Sequence, residues 1–137
     1  MKANIGEIIA STRASWAPDT AGPGTDVQER GKPHGQCAVT ALLVHELIGG
    51  EILRCEIKDS RGVVYGSHYW NLVPGVGEID LTREQFPRDY PLPRGEVVPR
   101  SRLTDGPRAV AAMTCERYAV LRERVRADIR ANHDPEW

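Results

Sequence analysis

Gly35-Gln36-Cys37-Ala38-Val39-Thr40-Ala41-Leu42-Leu43-Val44-His45-Glu46-Leu47-Ile48-Gly49-Gly50 is the stretch on which the fold turns. From Cys37 to Ile48 only Thr40, His45 and Glu46 interrupt an apolar run, and Gly49 is a natural helix stop. A helix apolar over most of its circumference belongs in a core. Its first residue, Cys37, then sits where unpaired backbone N–H groups and the positive end of the helix dipole favour a thiolate. Cys37 is therefore a candidate nucleophile. A free cysteine is also a common small core residue, and the helix taken alone leaves both roles open.

Upstream, Asn4 to Arg13 reads as a first helix: Asn4 and Glu7 have capping-box spacing, and Ile5, Ile8 and Ile9 share a face. Ser15-Trp16 ends it before Pro18. Residues 17 to 36 form a long polar loop, of the kind compact domains keep for functional or mobile segments. It delivers the chain to Cys37 and so walls the site. Downstream, Glu51 to Ile57 reads as a strand with Leu53, Cys55 and Ile57 on one face, and Lys58 to Gly62 as a turn. Val63-Val64-Tyr65 is a short strand punctuated by Gly66. Ser67 to Val73 is the next strand, Pro74 to Gly77 a turn, and Glu78 to Leu81 the hairpin partner.

Thr82 and Gln85 have capping-box spacing for a helical turn that Pro87 stops, and prolines then enforce an irregular surface path from Arg88 to Arg100. Thr114 to about Ala131 is an amphipathic helix. Tyr118, Leu121, Val125 and Ile129 form its stripe, while Arg117, Arg122, Glu123, Arg124 and Arg126 make a solvated outer face. The order predicts an α+β arrangement in one domain over residues 1–137. A buried helix headed by cysteine packs on a small antiparallel sheet, with an amphipathic helix at the C-terminus.

Charge narrows the function. With 18 basic and 19 acidic residues mixed along 137, the chain lacks the clustered basic surface of a nucleic-acid binder. Three cysteines cannot all pair and show no disulfide framework. No signal-peptide stretch or bilayer-length apolar run is visible, so the expected setting is cytoplasmic, with no membrane partner. A zinc site from His34, Cys37, Cys55 and His68 finds no supporting paired spacing, and no metal or other cofactor is expected.

Cys37, His68 and Asp80 form a possible nucleophile, base and orienter. The 31 residues from Cys37 to His68 accommodate a helix, a turn and two strands, and the 12 from His68 to Asp80 fit a hairpin. An imidazole beside the sulfur stabilises a thiolate and later protonates a leaving amine, while a carboxylate fixes the ring's tautomer. Each residue has a plainer role: His68 as a polar strand residue, Asp80 as a cap for the following turn. Glu78, two residues from Asp80 on the same strand face, is the rival orienter. Asn71 is a weaker one, because alternation sends it to the face opposite His68. The backbone N–H of Cys37 is one oxyanion donor by position. A second donor is sought in the Gln36 side chain or the Trp16 indole, although Trp16 also suits core packing. Tyr69 and Trp70 line the acyl groove or pack inside; Trp137 carries no signal.

Gly35-Gln36-Cys37 opening a buried helix, His68-Tyr69-Trp70 on a strand, and Asp80 followed by Thr82 resemble, in that order, the three motifs of the transglutaminase-like superfamily. Gly-Gln-Cys-Ala-Val-Thr-Ala-Leu, Gly-Gly-Glu-Ile-Leu-Arg, Ser-His-Tyr-Trp-Asn and Ile-Asp-Leu-Thr-Arg-Glu-Gln-Phe further resemble the small bacterial YunG-like proteins. The resemblance covers roughly residues 35 to 86. It implies a papain-like or transglutaminase-like core with Cys37 as nucleophile, His68 as base and Asp80 as orienter. The chain lacks the calcium-binding and flanking β-domains of animal transglutaminases, so metal activation is not expected, and Ala38 stands where an aromatic is common. The activity expected is acyl transfer through a thioester acyl-enzyme, as amidase, peptidase or acyltransferase, on a small-molecule or peptide acyl substrate. The competing expectation is a catalytically silent module of the same fold that binds a peptide or metabolite.

Overall fold

The computed structural model describes residues 3–137. Helix α1 (Ile5–Ser15) starts at Asn4, whose side chain accepts from the Glu7 N–H at 2.8 Å while Glu7 accepts from the Asn4 N–H at 3.3 Å. That reciprocal box satisfies two orphan donors of the first turn. The buried face differs from the expected isoleucine stripe. Ile8 goes inward together with Ser11, Thr12 and Ser15, while Ile5 is exposed. The hydroxyls tolerate burial because Thr12 donates to Ile8 O and Ser15 to Ser11 O, both at 2.7 Å, and Ser11 donates to Asp128.

The segment from 17 to 36 is more ordered than a plain loop. It holds a 3₁₀ turn, Pro18–Thr20, and a short helix α2 (Val27–Arg30) capped by the Asp26 carboxylate. The Gly22 N–H donates to Gly35 O at 2.9 Å and closes the segment on itself. Gly35 has φ +76°, and a Cβ there would lie 2.6 Å from Thr25 Oγ1. Only glycine fits at this crossing, one residue before the Gln36-Cys37 pair.

Helix α3 (Cys37–Leu47) buries Val39 through Val44. Gly50, at φ +85°, turns the chain hard against the Leu72 carbonyl and into the sheet. Strands β1 (Glu51–Lys58), β2 (Val64–Val73), β3 (Gly77–Ile79) and β4 (Glu96–Val98) form an antiparallel sheet in the order β3-β2-β1-β4. Gly66 does not divide β2 as expected. A register shift at Ile57/Lys58 absorbs the irregularity, and the strand runs on to Val64. Strand β3 is shorter than expected, and Asp80 lies just past its end.

Both faces of the sheet are covered. On one, Ile52 meets Ala41 and Leu42 of α3, with Val98 and Leu103 beside them. On the other, Leu53, Cys55, Ile57 and Trp70 are covered by Phe86, Tyr90 and Leu92. The proline-rich path is thus not merely superficial: it shields an apolar sheet face and ends in β4. Helices α4 (Ser101–Thr104) and α5 (Pro107–Ala111) lead to α6 (Thr114–Asn132). Leu121, Val125 and Ile129 of α6 are fully buried against Val39, Leu43 and Val44 of α3, with Ile8 and Trp16 closing the cluster. Trp137 also packs on this cluster and lies under the Arg126 guanidinium. The chain is an α+β protein whose central helix is clamped between a sheet and two helices.

Candidate active site

Cys37 is the first residue of α3, and Gln36 before it provides no side-chain cap. The leading N–H groups of the helix therefore have no acceptor in their own turn. The half-buried Cys37 sulfur lies 4.0 Å from the Ser67 carbonyl oxygen on β2, the outer limit of a sulfur hydrogen bond. The next residue of that strand is His68.

His68 is fully buried, stacked on Trp70 at 5.2 Å between ring centroids and met edge-on by Phe86. Its Nε2 stands 2.7 Å from Asp80 Oδ2. With the Nε2–H given to Asp80, Nδ1 is the accepting nitrogen of the ring, and the Gln85 amide is the donor set against it. Gln85 Nε2 lies 3.1 Å from that same Nδ1 and 3.2 Å from Thr82 Oγ1, and Thr82 reaches Asp80 Oδ1 at 3.5 Å. Thr82 and Gln85 therefore form no capping box. They tie the 3₁₀ turn Arg83–Gln85 to the imidazole and its carboxylate.

These surroundings polarise the pair. Burial works to raise the Cys37 thiol, but the hydrogen bond and charge of His68, helped by the Tyr69 backbone N–H, leave it below its ordinary 9.0. Burial works to lower His68. The hydrogen bond to Asp80 and the interaction with Cys37 outweigh it and push the imidazole up to about 9. Both directions favour a thiolate beside an imidazolium. Cys55, directly across from His68 on β1, is pushed the other way by burial, to about 11, and stays a thiol.

The remaining candidates separate. Glu78 accepts from the Trp70 indole at 2.9 Å and does not touch His68. Asn71 faces α3, where it donates to Ala41 O at 3.0 Å. Trp16 is buried and its indole N–H is given to Thr40 Oγ1 at 2.9 Å, so it is a core residue and not an oxyanion donor. Gln36 is likewise fully buried, its amide donating to Ala17 O at 3.1 Å. Gln36 thus holds the loop and lines neither cleft beside Cys37, unlike the expected oxyanion donor. Trp70 packs inside the sheet face, whereas Tyr69 lines a cleft with Cys37.

Two clefts meet at the sulfur, sharing Gly35, Cys37 and Ser67. One, about 260 Å³, opens toward α4, α5 and α6; the other, about 340 Å³, is walled by Tyr65, Phe86 and Tyr90. Gly22, Thr25, Arg30 and His34 contribute to these walls, so the segment before Cys37 borders the site. Sequence reading missed Gln85, which looked like a cap residue. It also missed Arg117, which turns inward to Ala112 O and Thr20 O at 2.8 and 3.0 Å instead of joining the outer arginines. Among the described residues no group of three or more His, Cys, Asp or Glu is gathered to hold a metal ion, and no helix is long and apolar enough to cross a membrane.

Fold and site together define an α+β protein that carries a cysteine, a histidine and an aspartate side by side, drawn from a helix, a strand and a strand end. A family model described as YunG protein matches residues 4–130, and the chain belongs to that family. No curated protein and no solved structure matches it.

Proposed function

We infer that this chain is a cysteine-dependent acyl-transfer enzyme on a transglutaminase-like, papain-like core. The observation that carries the reading is the 2.7 Å contact between His68 Nε2 and Asp80 Oδ2, behind a Cys37 thiol that His68 holds below its ordinary value. A merely packed cysteine needs no such partner.

Cys37 Sγ attacks the carbonyl carbon of an amide or thioester, and the carbonyl π pair moves onto oxygen. The Cys37 backbone N–H, at the uncapped end of α3, donates to that oxyanion. His68 then gives a ring proton to the departing amine or thiol as the bond to carbon breaks, leaving a thioester on Cys37. Water or an amine attacks the thioester, yields its proton to His68, and releases the acyl product with the Cys37 thiolate. Asp80 keeps the ring in one tautomer and stabilises its charged form.

The test is intact-mass detection of acylated Cys37 after exposure to a panel of acyl thioesters and amides. Cys37→Ala and His68→Ala abolish turnover with the fold retained, and Asp80→Asn reduces it less completely. A wild-type Cys37 that takes up no acyl group and titrates at its ordinary value overturns the enzyme and leaves the binding module.

A further inference from the structure

The smaller of the two clefts at Cys37 is lined by Arg102 from α4, Arg108 from α5 and Arg117 from α6, and among the described residues no Asp or Glu lines it. Elsewhere Arg122 and Arg126 reach Glu46, Arg124 reaches Asp19, Arg13 reaches Glu84 and Arg61 reaches Asp59, while the arginines outside these pairs are spread singly over the surface and the loops. Among the described residues Arg102, Arg108 and Arg117 make no ion pair. Arg117 is half-buried and held by two carbonyls and the Thr114 hydroxyl, which fix its guanidinium without cancelling its charge. Arg117 and Cys37 line the same cleft. Arg102 and Arg108 are exposed at the rim, able to reach an incoming group.

The local excess of positive charge is notable in a chain of net charge −1. A concave wall with one sign of charge concentrates ligands of the other. The guanidinium fork matches a carboxylate or phosphate through paired N–H donors. The opposite cleft has different chemistry, with a single arginine, Arg30, among Tyr65, Phe86 and Tyr90. Two unlike clefts meeting at one sulfur would orient a substrate across it.

We propose that the cleft of Arg102, Arg108 and Arg117 is the subsite for an oxyanion group of the substrate, so that the compound presented to Cys37 is an anionic acyl compound and not a neutral peptide. That the substrate is an acyl compound rests on the function inferred above; the anion subsite does not.

The test uses two alkylating agents of nearly equal size, iodoacetate and iodoacetamide, on the full chain. Rates at Cys37 are read by peptide mass spectrometry. Both need only the thiolate, so a failure of acyl-enzyme formation leaves this measurement standing. The ratio of iodoacetate to iodoacetamide rate is expected to fall about tenfold in Arg102→Ala/Arg108→Ala. The charge-matched Arg88→Ala/Arg94→Ala, exposed and outside both clefts, should leave it unchanged. Because these positions are exposed, the test does not depend on Arg117, whose removal threatens the fold. Succinate and inorganic phosphate are then used as protectants against iodoacetamide. Whichever protects wild type, and fails to protect the double variant, names the group as carboxylate or phosphate. A ratio that both double variants move equally, or that neither moves, overturns the proposal, as does protection by neither anion.

Discussion

Replacing Asp80 by Asn removes one charge from the site while keeping a similar side chain beside His68. The imidazole stands at about 9 against an ordinary 6.5, which amounts to about 3 kcal/mol in favour of its charged form. Burial opposes that shift, so the groups acting on the ring supply more than this between them, and the hydrogen bond to Asp80 is the larger of the side-chain contributions. An opposite charge at this range raises an imidazole by about one to three units. The Asp80→Asn midpoint should therefore fall by at least about one unit. The assay is a proton–nitrogen NMR titration of the imidazoles. The chain has four histidines, and His68→Ala identifies the signal by its loss.

His68 and Cys37 titrate as a coupled pair, so the wild-type midpoint belongs to both. The fall caused by Asp80→Asn should for that reason persist in a Cys37→Ala background. Glu78→Gln, which removes a charge but keeps an oxygen to accept from the Trp70 indole, should move the midpoint less than Asp80→Asn does. A wild-type midpoint near 6.5, an Asp80→Asn variant that leaves it in place, or a larger effect from Glu78→Gln would refute the assignment of Asp80 as orienter.

Turnover should be bell-shaped in pH: kcat/KM rises through a thiol value below the ordinary 9.0 and falls as His68 loses its proton near 9. A single rising limb centred on an ordinary thiol would contradict this. Leu121→Ala, at a fully buried position between α6 and α3, should cost about 2–5 kcal/mol in urea unfolding. A loss under about 1 kcal/mol would mean that α6 is not part of the core. Gly35→Ala should destabilise more than Gly62→Ala and also slow Cys37 alkylation. Both glycines have positive φ, but a Cβ at Gly62 meets open space whereas one at Gly35 strikes Thr25. Equal losses in the two variants would remove the case for Gly35 as a positioning residue.

Much of this protein is legible along the chain because local pattern and burial coincide. The apolar run after Cys37 marks a helix surrounded by protein, and the stripe of Leu121, Val125 and Ile129 marks one packed on a single side. The Asn4–Glu7 box is a contact within one turn, so its spacing alone specifies it. Strand alternation separates His68 from Asn71 on the same grounds, since the period of two decides the face before any partner is known.

What tertiary structure decided are the pairings between side chains whose elements meet only after folding. Glu78 and Asp80 share a residue type class and a face, and nothing local ranks them. The end of β3 at Ile79 leaves Asp80 beside the imidazole and Glu78 beside the Trp70 indole. Trp16 and Gln36 looked available because a sequence displays donors without their acceptors, and Thr40 and Ala17 take them up only in the packed molecule. Gln85 and the arginines of α4, α5 and α6 escape notice for the converse reason: their spacing fits caps and solvated helix faces. A periodic pattern records which side of an element faces inward. A hydrogen-bond partner or a shared cleft depends on where separate elements come to rest.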